Sequence, residues 1–406
     1  MLILTKEDIK KCITMQETIK ICKEAMLSYS LKKTNIPLRT NISVANHNGQ
    51  VLFMPGFVNS NTEALGLKIV SVYPNNIEKN LPAVPATMLT LDKKTGIVNG
   101  LLDGTYLTAL RTAALQGLAT DLLARKDSKI ATLIGTGGQA YEQAHALLTV
   151  RKLDELRIVG RNFEKTKRFA EILSNDFSNF ETKIIAYKDV DDAVENADII
   201  TTVTNSKTPT FDSKLVKKGT HINGIGSFTP EMIEIPVELI TKENKIYLDT
   251  YDGVLSEAGE ILSALDKHHI TTNDFKGELG ELLLDCSLGR TSEDDITIFK
   301  SVGTAVLDIV CGAEIIKKAE TIPKNISITK FLLNCFWTFL TKSLFLSRNS
   351  PAFWNESSNS FWTFSMSSSV TEFRLSTWLR ICKNFSLVSS VIKTSYLFSN
   401  SSLSRK

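Results

Sequence analysis

The sequence predicts an α/β protein in which a doubly wound parallel sheet is inserted in a discontinuous α+β domain, with a C-terminal tail outside the fold. Three observations lead to this expectation. From Lys129 onward, strand-like and helix-like segments alternate at short spacing, the pattern of a parallel sheet with helical crossovers. Between Pro37 and Leu91 the runs "VLFMPGF", "LGLKIVSVY" and "PATMLTL" are β-type and punctuated by Asn, Gly and Pro. Beyond Glu320 the vocabulary changes abruptly. At 406 residues the chain is long enough for two domains, each with its own core.

In chain order, residues 7 to 31 read as one amphipathic helix, with Ile9, Ile13, Ile19, Met26 and Leu27 at helical spacing. The β-type runs from Pro37 to Leu91 then form one mixed or antiparallel sheet, and a helix follows from about Thr105 to Ala124. "KIATLIG", "ELRIVG", "TKIIAY", "DIITTVT", "THINGIG" and "KIYLDT" read as strands, with helices in "GGQAYEQAHALLTV", "EKTKRFAEIL" and "DVDDAVENA". After about Asp294 the stretch "FKSVGTAVLDIVCGAEII" reads as a helix packing back near the first sheet. The expected division is therefore 1–125 plus 295–320 for a first domain, 126–294 for the parallel-sheet domain, and 321–406 for the tail.

Charge is split along the chain. Up to Glu320 there are roughly 37 basic against 42 acidic residues, and beyond it roughly 10 against 2. The main body is mildly acidic and makes no case for nucleic-acid binding. Six cysteines without a CxxC pair fit a reducing cytoplasm and argue against structural zinc. The start, MLILTKEDIKKCI, carries Glu7 and Asp8 and does not read as a secretory signal; no apolar run reaches the roughly 18 residues of a membrane span. The tail holds 20 Ser among its 86 residues, half the Phe, all four Trp and no Gly. It reads as a segment outside the fold; the alternative is a basic, aromatic segment on a membrane surface, carried by "FLLNCFWTFLTKSLFL".

"LIGTGGQA" sets Gly135, Gly137 and Ala140, with Gly138 and Gln139 between, as G-x-G-x-x-A at a strand-to-helix turn. The first glycine permits the tight turn, the second lets a pyrophosphate approach the backbone, and the small third residue lets helix and strand pack closely. The N–H groups opening the helix then face the phosphates, so the pattern predicts a Rossmann dinucleotide site. At the end of the next strand "IVGRNFEK" offers Arg161 and Asn162 where an NAD site usually has a carboxylate. Nothing there repels a 2′-phosphate and Arg161 can grip one, which predicts NADP(H) over NAD(H); a solvated surface arginine is the alternative.

Three cations stand where the fold expects apolar groups. Arg111 shares a helical stripe with Leu107, Leu115, Leu118 and Leu122, and therefore needs an anion, either an internal carboxylate or that of a substrate. Lys68 lies in "LGLKIVSV", where both alternating sets are apolar or small, so the strand reads as covered on both faces. Its ammonium is either near an edge with a buried stem or aimed into a polar cleft. Arg39, in "PLRTNISV", is the third, and together they suggest a site for a small acid. Adjacent His268 and His269 have no completing metal ligand, and His221 reads as a core histidine.

The motifs "LGLKIVSVYPNN", "LTALRTAALQGLAT", "LIGTGGQA", "GTHINGIGS", "EAGE" and "FKSVGTAVLD", in this order and spacing, resemble the ornithine cyclodeaminase/mu-crystallin family over about residues 1 to 320. The resemblance implies a homodimer, with a substrate-binding and dimerisation domain built from both ends of the core and a Rossmann domain between them. It implies a nicotinamide cofactor and an amino- or imino-acid substrate. By position, Arg39, Lys68 and Arg111 match the family's substrate-carboxylate and active-site cations. Thr87 and Thr112 match positions near the cofactor, Thr202 and Val203 its ribose, and Ser301 and Val302 the nicotinamide side. Ile225 and Gly226 fall on the cofactor side of the same crevice.

One departure bears on the chemistry. Cyclodeaminases of the family place an aspartate acid-base in the loop after "IGx", and this chain reads "GIGSFTPEM", with Phe228 there and no carboxylate until Glu231. Deamination with ring closure needs a positioned base, which Phe cannot be. Reduction of a C=N bond asks only for a hydride and one proton, and Phe228 then serves as an apolar wall of the substrate site. The expectation is a reductase of cyclic imino acids, with Lys68, Glu231 or a water as proton donor. A cyclodeaminase and an alanine dehydrogenase are the enzymatic alternatives, and a nicotinamide- and ligand-binding protein the non-enzymatic one.

Overall fold

The computed structural model describes residues 1–321; the readings of the tail fall on residues 322–406 and lie outside the described residues. The described chain is built on two sheets, as expected. The first is mixed, in the order Leu2–Leu4, Val98–Asp103, Ala86–Leu91, Ala64–Val72, Gly49–Val58, Thr34–Asn35, with Thr40–Val44 also pairing to Gly49–Val58. Only its Leu2–Leu4 edge is parallel to its neighbour.

Burial along Ala64–Val72 alternates: Ala64, Gly66, Lys68 and Val70 face the core, while Leu65, Leu67 and Ile69 are half-buried. The expectation that both faces are covered is thus corrected, because the helices pack on one side only. The buried face is roofed by helices Gly104–Leu123 and Ala305–Thr321, and Lys68 points towards them. The expected single helix over 7–31 is two, Lys6–Cys12 and Met15–Ser30. Thr14 interrupts it, exchanging bonds with the backbone and carboxylate of Glu17 in a capping box that starts a new helix.

The second sheet is wholly parallel among its described pairs. Its order is Lys183–Tyr187, Glu155–Val159, Ile130–Ile134, Ile199–Thr202, His221–Gly224, Thr297–Lys300, Lys245–Leu248, Gly277–Glu278. Chain order reverses between Ile130–Ile134 and Ile199–Thr202, the switch point at whose carboxyl ends doubly wound sheets bind ligands. The reading of 295–320 as part of the first layer needs a correction. Thr297–Lys300 is a fully buried strand at the heart of the parallel sheet, and only the helix Ala305–Thr321 packs on the mixed one. Four residues after an acidic turn carry too little periodicity to be separated from the helix that follows.

Candidate active site

At the switch point the chain turns through Gly135 with φ +121°, and a Cβ there would lie 2.6 Å from the Val203 carbonyl. Only glycine tolerates both the dihedral and that approach. Gly137 and Gly138 are exposed, with nothing within 4 Å of where a Cβ would stand, and the helix Ala140–Val150 opens just beyond. Gln139 Oε1 is buried without a partner among the described residues. An open backbone cradle at a helix N-terminus fits a pyrophosphate.

The other expected cofactor residues divide by side chain and backbone. Thr202 is fully buried and its hydroxyl bonds the Asn223 carbonyl at 3.3 Å, so its side chain does not reach the crevice. Val203 and Ile225 are core side chains, and the Val203 carbonyl borders the turn at Gly135. Asn162 caps the helix Phe163–Asp176, accepting the Lys165 N–H at 2.9 Å. Arg161 beside it is exposed and has no ion pair among the described residues. Thr87 is half-buried on the strand Ala86–Leu91, and Thr112 is buried next to Arg111.

The three cations resolve differently. Lys68 Nζ donates to Asp308 Oδ2 at 2.6 Å and Arg111 Nε to Asp308 Oδ1 at 2.9 Å, with all three side chains almost wholly buried. One carboxylate serves two cations, so the cluster keeps one positive charge. Burial pushes the Lys68 ammonium down to about 8, against the pull of Asp308, with Arg111 and Arg39 adding to the fall. Arg111 Nη1 is buried without a partner among the described residues. Gly303, at φ +86°, lies against it: a Cβ there would stand 3.1 Å from Nη1. Arg111 thus has an internal carboxylate on Nε and, among the described residues, an unpaired buried donor on Nη1. Arg39 pairs instead with Glu257, whose carboxyl is raised by burial in spite of that arginine.

The "GIGSFTPEM" loop leaves the strand His221–Gly224. Glu234 accepts the N–H groups of Gly226 at 2.6 Å and Ser227 at 2.7 Å, and also that of Thr204, which fixes the loop's path. Phe228 is half-buried against the apolar cluster that contains Val302. Glu231 is exposed, and Thr229 beside it lowers its carboxyl below the usual range. At the end of the strand Lys245–Leu248, Asp249 accepts the Ser301 hydroxyl at 2.7 Å and the N–H groups of Val302 and Gly303 at 3.0 and 2.7 Å.

This arrangement meets known proteins at one point. The sequence profile of the ornithine cyclodeaminase/mu-crystallin family matches residues 1–321. The chain belongs to that family. A Δ1-pyrroline-2-carboxylate reductase of Bacillus cereus is 36% identical over 319 residues, covering 79% of this chain and 97% of the relative. An alanine dehydrogenase of Archaeoglobus fulgidus is 32% identical over 325 residues, covering 80% and 96%. Among solved structures, the Thermococcus litoralis Δ1-pyrroline-2-carboxylate reductase in complex with NADH and L-proline superposes with TM-score 0.75 at 37% identity, over 79% of this chain and 98% of that one. An archaeal alanine dehydrogenase dimer with bound NAD gives 0.72 at 31%, over 80% and 99%.

Within this family fold, sequence reasoning missed Asp308, Glu234, Lys300 and Asp249 as parts of the site, and it left Glu257 and Glu260, in the motif "EAGE", without a fixed role. Asp308 carried a usable signal: an acid inside the apolar run "AVLDIVCGA" needs a cation, by the argument that singled out Arg111. His221 is the expected core histidine, bonded to Thr297 at 2.9 Å and Asn223 at 3.0 Å and pushed down to about 3 by burial. His268 and His269 are exposed, and no cluster of metal ligands occurs among the described residues.

Proposed function

We propose that the protein reduces cyclic imino acids, Δ1-pyrroline-2-carboxylate or Δ1-piperideine-2-carboxylate, to proline or pipecolate, with NADPH preferred to NADH. The observation that carries this reading is the buried Lys68–Asp308–Arg111 cluster, with one net positive charge and an Arg111 Nη1 unpaired among the described residues, together with a loop that holds Phe228 in place of an acid. The single positive charge matches the single carboxylate of such a substrate, which Nη1 can bind. Lys68, lowered to about 8, is protonated at neutral pH yet close enough in acidity to give its proton to the imine nitrogen. Asp308 holds both cations in place. Phe228 and Val302 keep water from the reacting carbon. A bound reduced nicotinamide supplies the hydride for that carbon. The reductase relatives from Bacillus and Thermococcus support the substrate class.

Arg161, exposed and without an ion pair among the described residues, supports the preference for a 2′-phosphate. The half-buried face of Leu65, Leu67 and Ile69 supports a homodimer through the mixed sheet. We assign residues 1–125 and the helix Ala305–Thr321 to substrate binding and dimerisation, and the parallel sheet to the nucleotide. No described helix is long and apolar enough to cross a membrane. The test is turnover: consumption of NADPH with either cyclic imino acid is expected, faster than with NADH. Tight NADPH binding without turnover of either substrate overturns the enzyme in favour of a binding protein, and ammonia release from ornithine with NAD+ restores the cyclodeaminase.

A further inference from the structure

Behind the wall of the proposed substrate site lies a buried polar cluster that neither binding nor proton transfer uses. Ser227, Glu234, Glu260 and Lys300 are all fully buried. Lys300 Nζ donates to the Ser227 carbonyl at 2.7 Å and to the Ser227 hydroxyl, and pairs with Glu260 at 3.1 Å. All three of its donors are thereby used. The Ser227 hydroxyl lies 2.8 Å from Glu260 Oε1. Glu234 binds the backbone of the same loop, as described above. Burying two carboxylates and an ammonium carries a desolvation cost that a hydrophobic contact at this place would avoid. Its position in the chain suggests why it is there.

Gly224 and Lys300 are register partners on adjacent parallel strands, and the two loops that leave those strands carry Phe228 and Val302. Ser227 immediately precedes Phe228, and Lys300 stands two residues before Val302. Glu260 comes from a third element, the helix Gly259–Asp266, whose first residue lies so close to the Pro230 and Met232 carbonyls that a Cβ would collide with them. We propose that Ser227, Glu260 and Lys300 are positioning residues, a brace that locks the loops bearing Phe228 and Val302 to one another and so sets the wall against which the imino acid and nicotinamide meet. The inference rests on the reductase reading. A hydride moves productively only across a short, aligned gap, so a wall displaced by a fraction of an ångström slows transfer without weakening the grip on the substrate carboxylate, which belongs to Arg111.

The experiment uses the full chain with Ser227→Ala and Glu260→Gln, each compared with the parent by initial rates, by the primary isotope effect with nicotinamide deuterated at C4, and by thermal melting. The expected result for Ser227→Ala is a kcat lower by roughly 10- to 100-fold, a KM for the imino acid within about twofold, and a larger isotope effect. Glu260→Gln, isosteric and still able to accept from Ser227 and Lys300, should fall between that variant and the parent. A lowered melting temperature with kcat and isotope effect unchanged below the melt overturns the inference, since a cluster serving stability alone would behave so. If Glu260→Gln does not fold, Ser227→Ala decides alone. A parent chain without turnover refutes the reductase reading itself, whereas an active parent with indifferent variants refutes only the brace.

Discussion

Asp308→Asn tests the proposed chemistry most directly. The change keeps the size of the side chain and removes the one negative charge shared by Lys68 and Arg111, both of which stay buried. Two consequences follow. Removing one member of a buried ion network leaves uncompensated charge, which costs about 3–5 kcal/mol of stability. Asp308 also holds the Lys68 ammonium up against the burial that lowers it to about 8, so the lysine loses its proton at lower pH in the variant. A charge-assisted hydrogen bond of about 1.5–3 kcal/mol corresponds to about 1–2 pH units. In the parent chain the rate of imine reduction, followed by NADPH absorbance at saturating substrate, should be full below pH 8 and fall as pH rises through it, because the donor is the protonated lysine. In Asp308→Asn the fall should come about 1–2 pH units lower. Urea unfolding gives the stability arm in the same buffers. A parent rate that is flat across pH 8, or a variant whose profile has the parent's limb, refutes Lys68 as the proton donor.

Arg161→Asp should lower the NADPH-to-NADH ratio of kcat/KM by about 10- to 100-fold, the worth of charged hydrogen bonds to a 2′-phosphate, and an unchanged ratio removes Arg161 from specificity. Gly135→Ala should weaken nucleotide binding by at least about tenfold in a fluorescence titration, since it adds a Cβ 2.6 Å from the Val203 carbonyl at a left-handed dihedral. Phe228→Asp should slow imine reduction, because it sets a charge in the apolar wall; an unaffected rate separates Phe228 from the reaction. His221 is neutral in the fold down to about pH 3, while its ordinary value is 6.5, so the unfolded chain binds the extra proton between those limits. Its contribution to stability is complete above about pH 6.5 and is lost as pH falls towards 3, by up to about 1.4 kcal/mol per pH unit. His221→Gln should flatten that acid limb in urea titrations from pH 4 to 7.

What could be read from the sequence alone was what depends on near neighbours. The alternation from Lys129 to Thr250 placed most strands and helices of the parallel sheet, because strand and helix periods are written within a few residues. The turn at Gly135 was legible because that glycine meets a local demand, a left-handed dihedral at a strand's end. Arg111 and Lys68 stood out because each breaks an apolar pattern within its own element. The break at Thr14 was also local, and the Thr14-to-Glu17 spacing that marks it was written in the sequence.

Partnership was decided by tertiary structure. Asp308 lies 240 residues from Lys68 and 197 from Arg111, and Lys300 lies 73 from Ser227. No local period relates such residues; the packing of the helix Ala305–Thr321 onto the mixed sheet, and the insertion of Thr297–Lys300 beside His221–Gly224, bring them together. Sequence alone thus identified three cations that need an explanation and a loop without an acid at Phe228. The fold assigned one shared carboxylate to Lys68 and Arg111 and Glu257 to Arg39, left Arg111 Nη1 without a partner among the described residues, and braced the loop from behind, because burial makes each ionised group find a partner wherever the chain crossing supplies one.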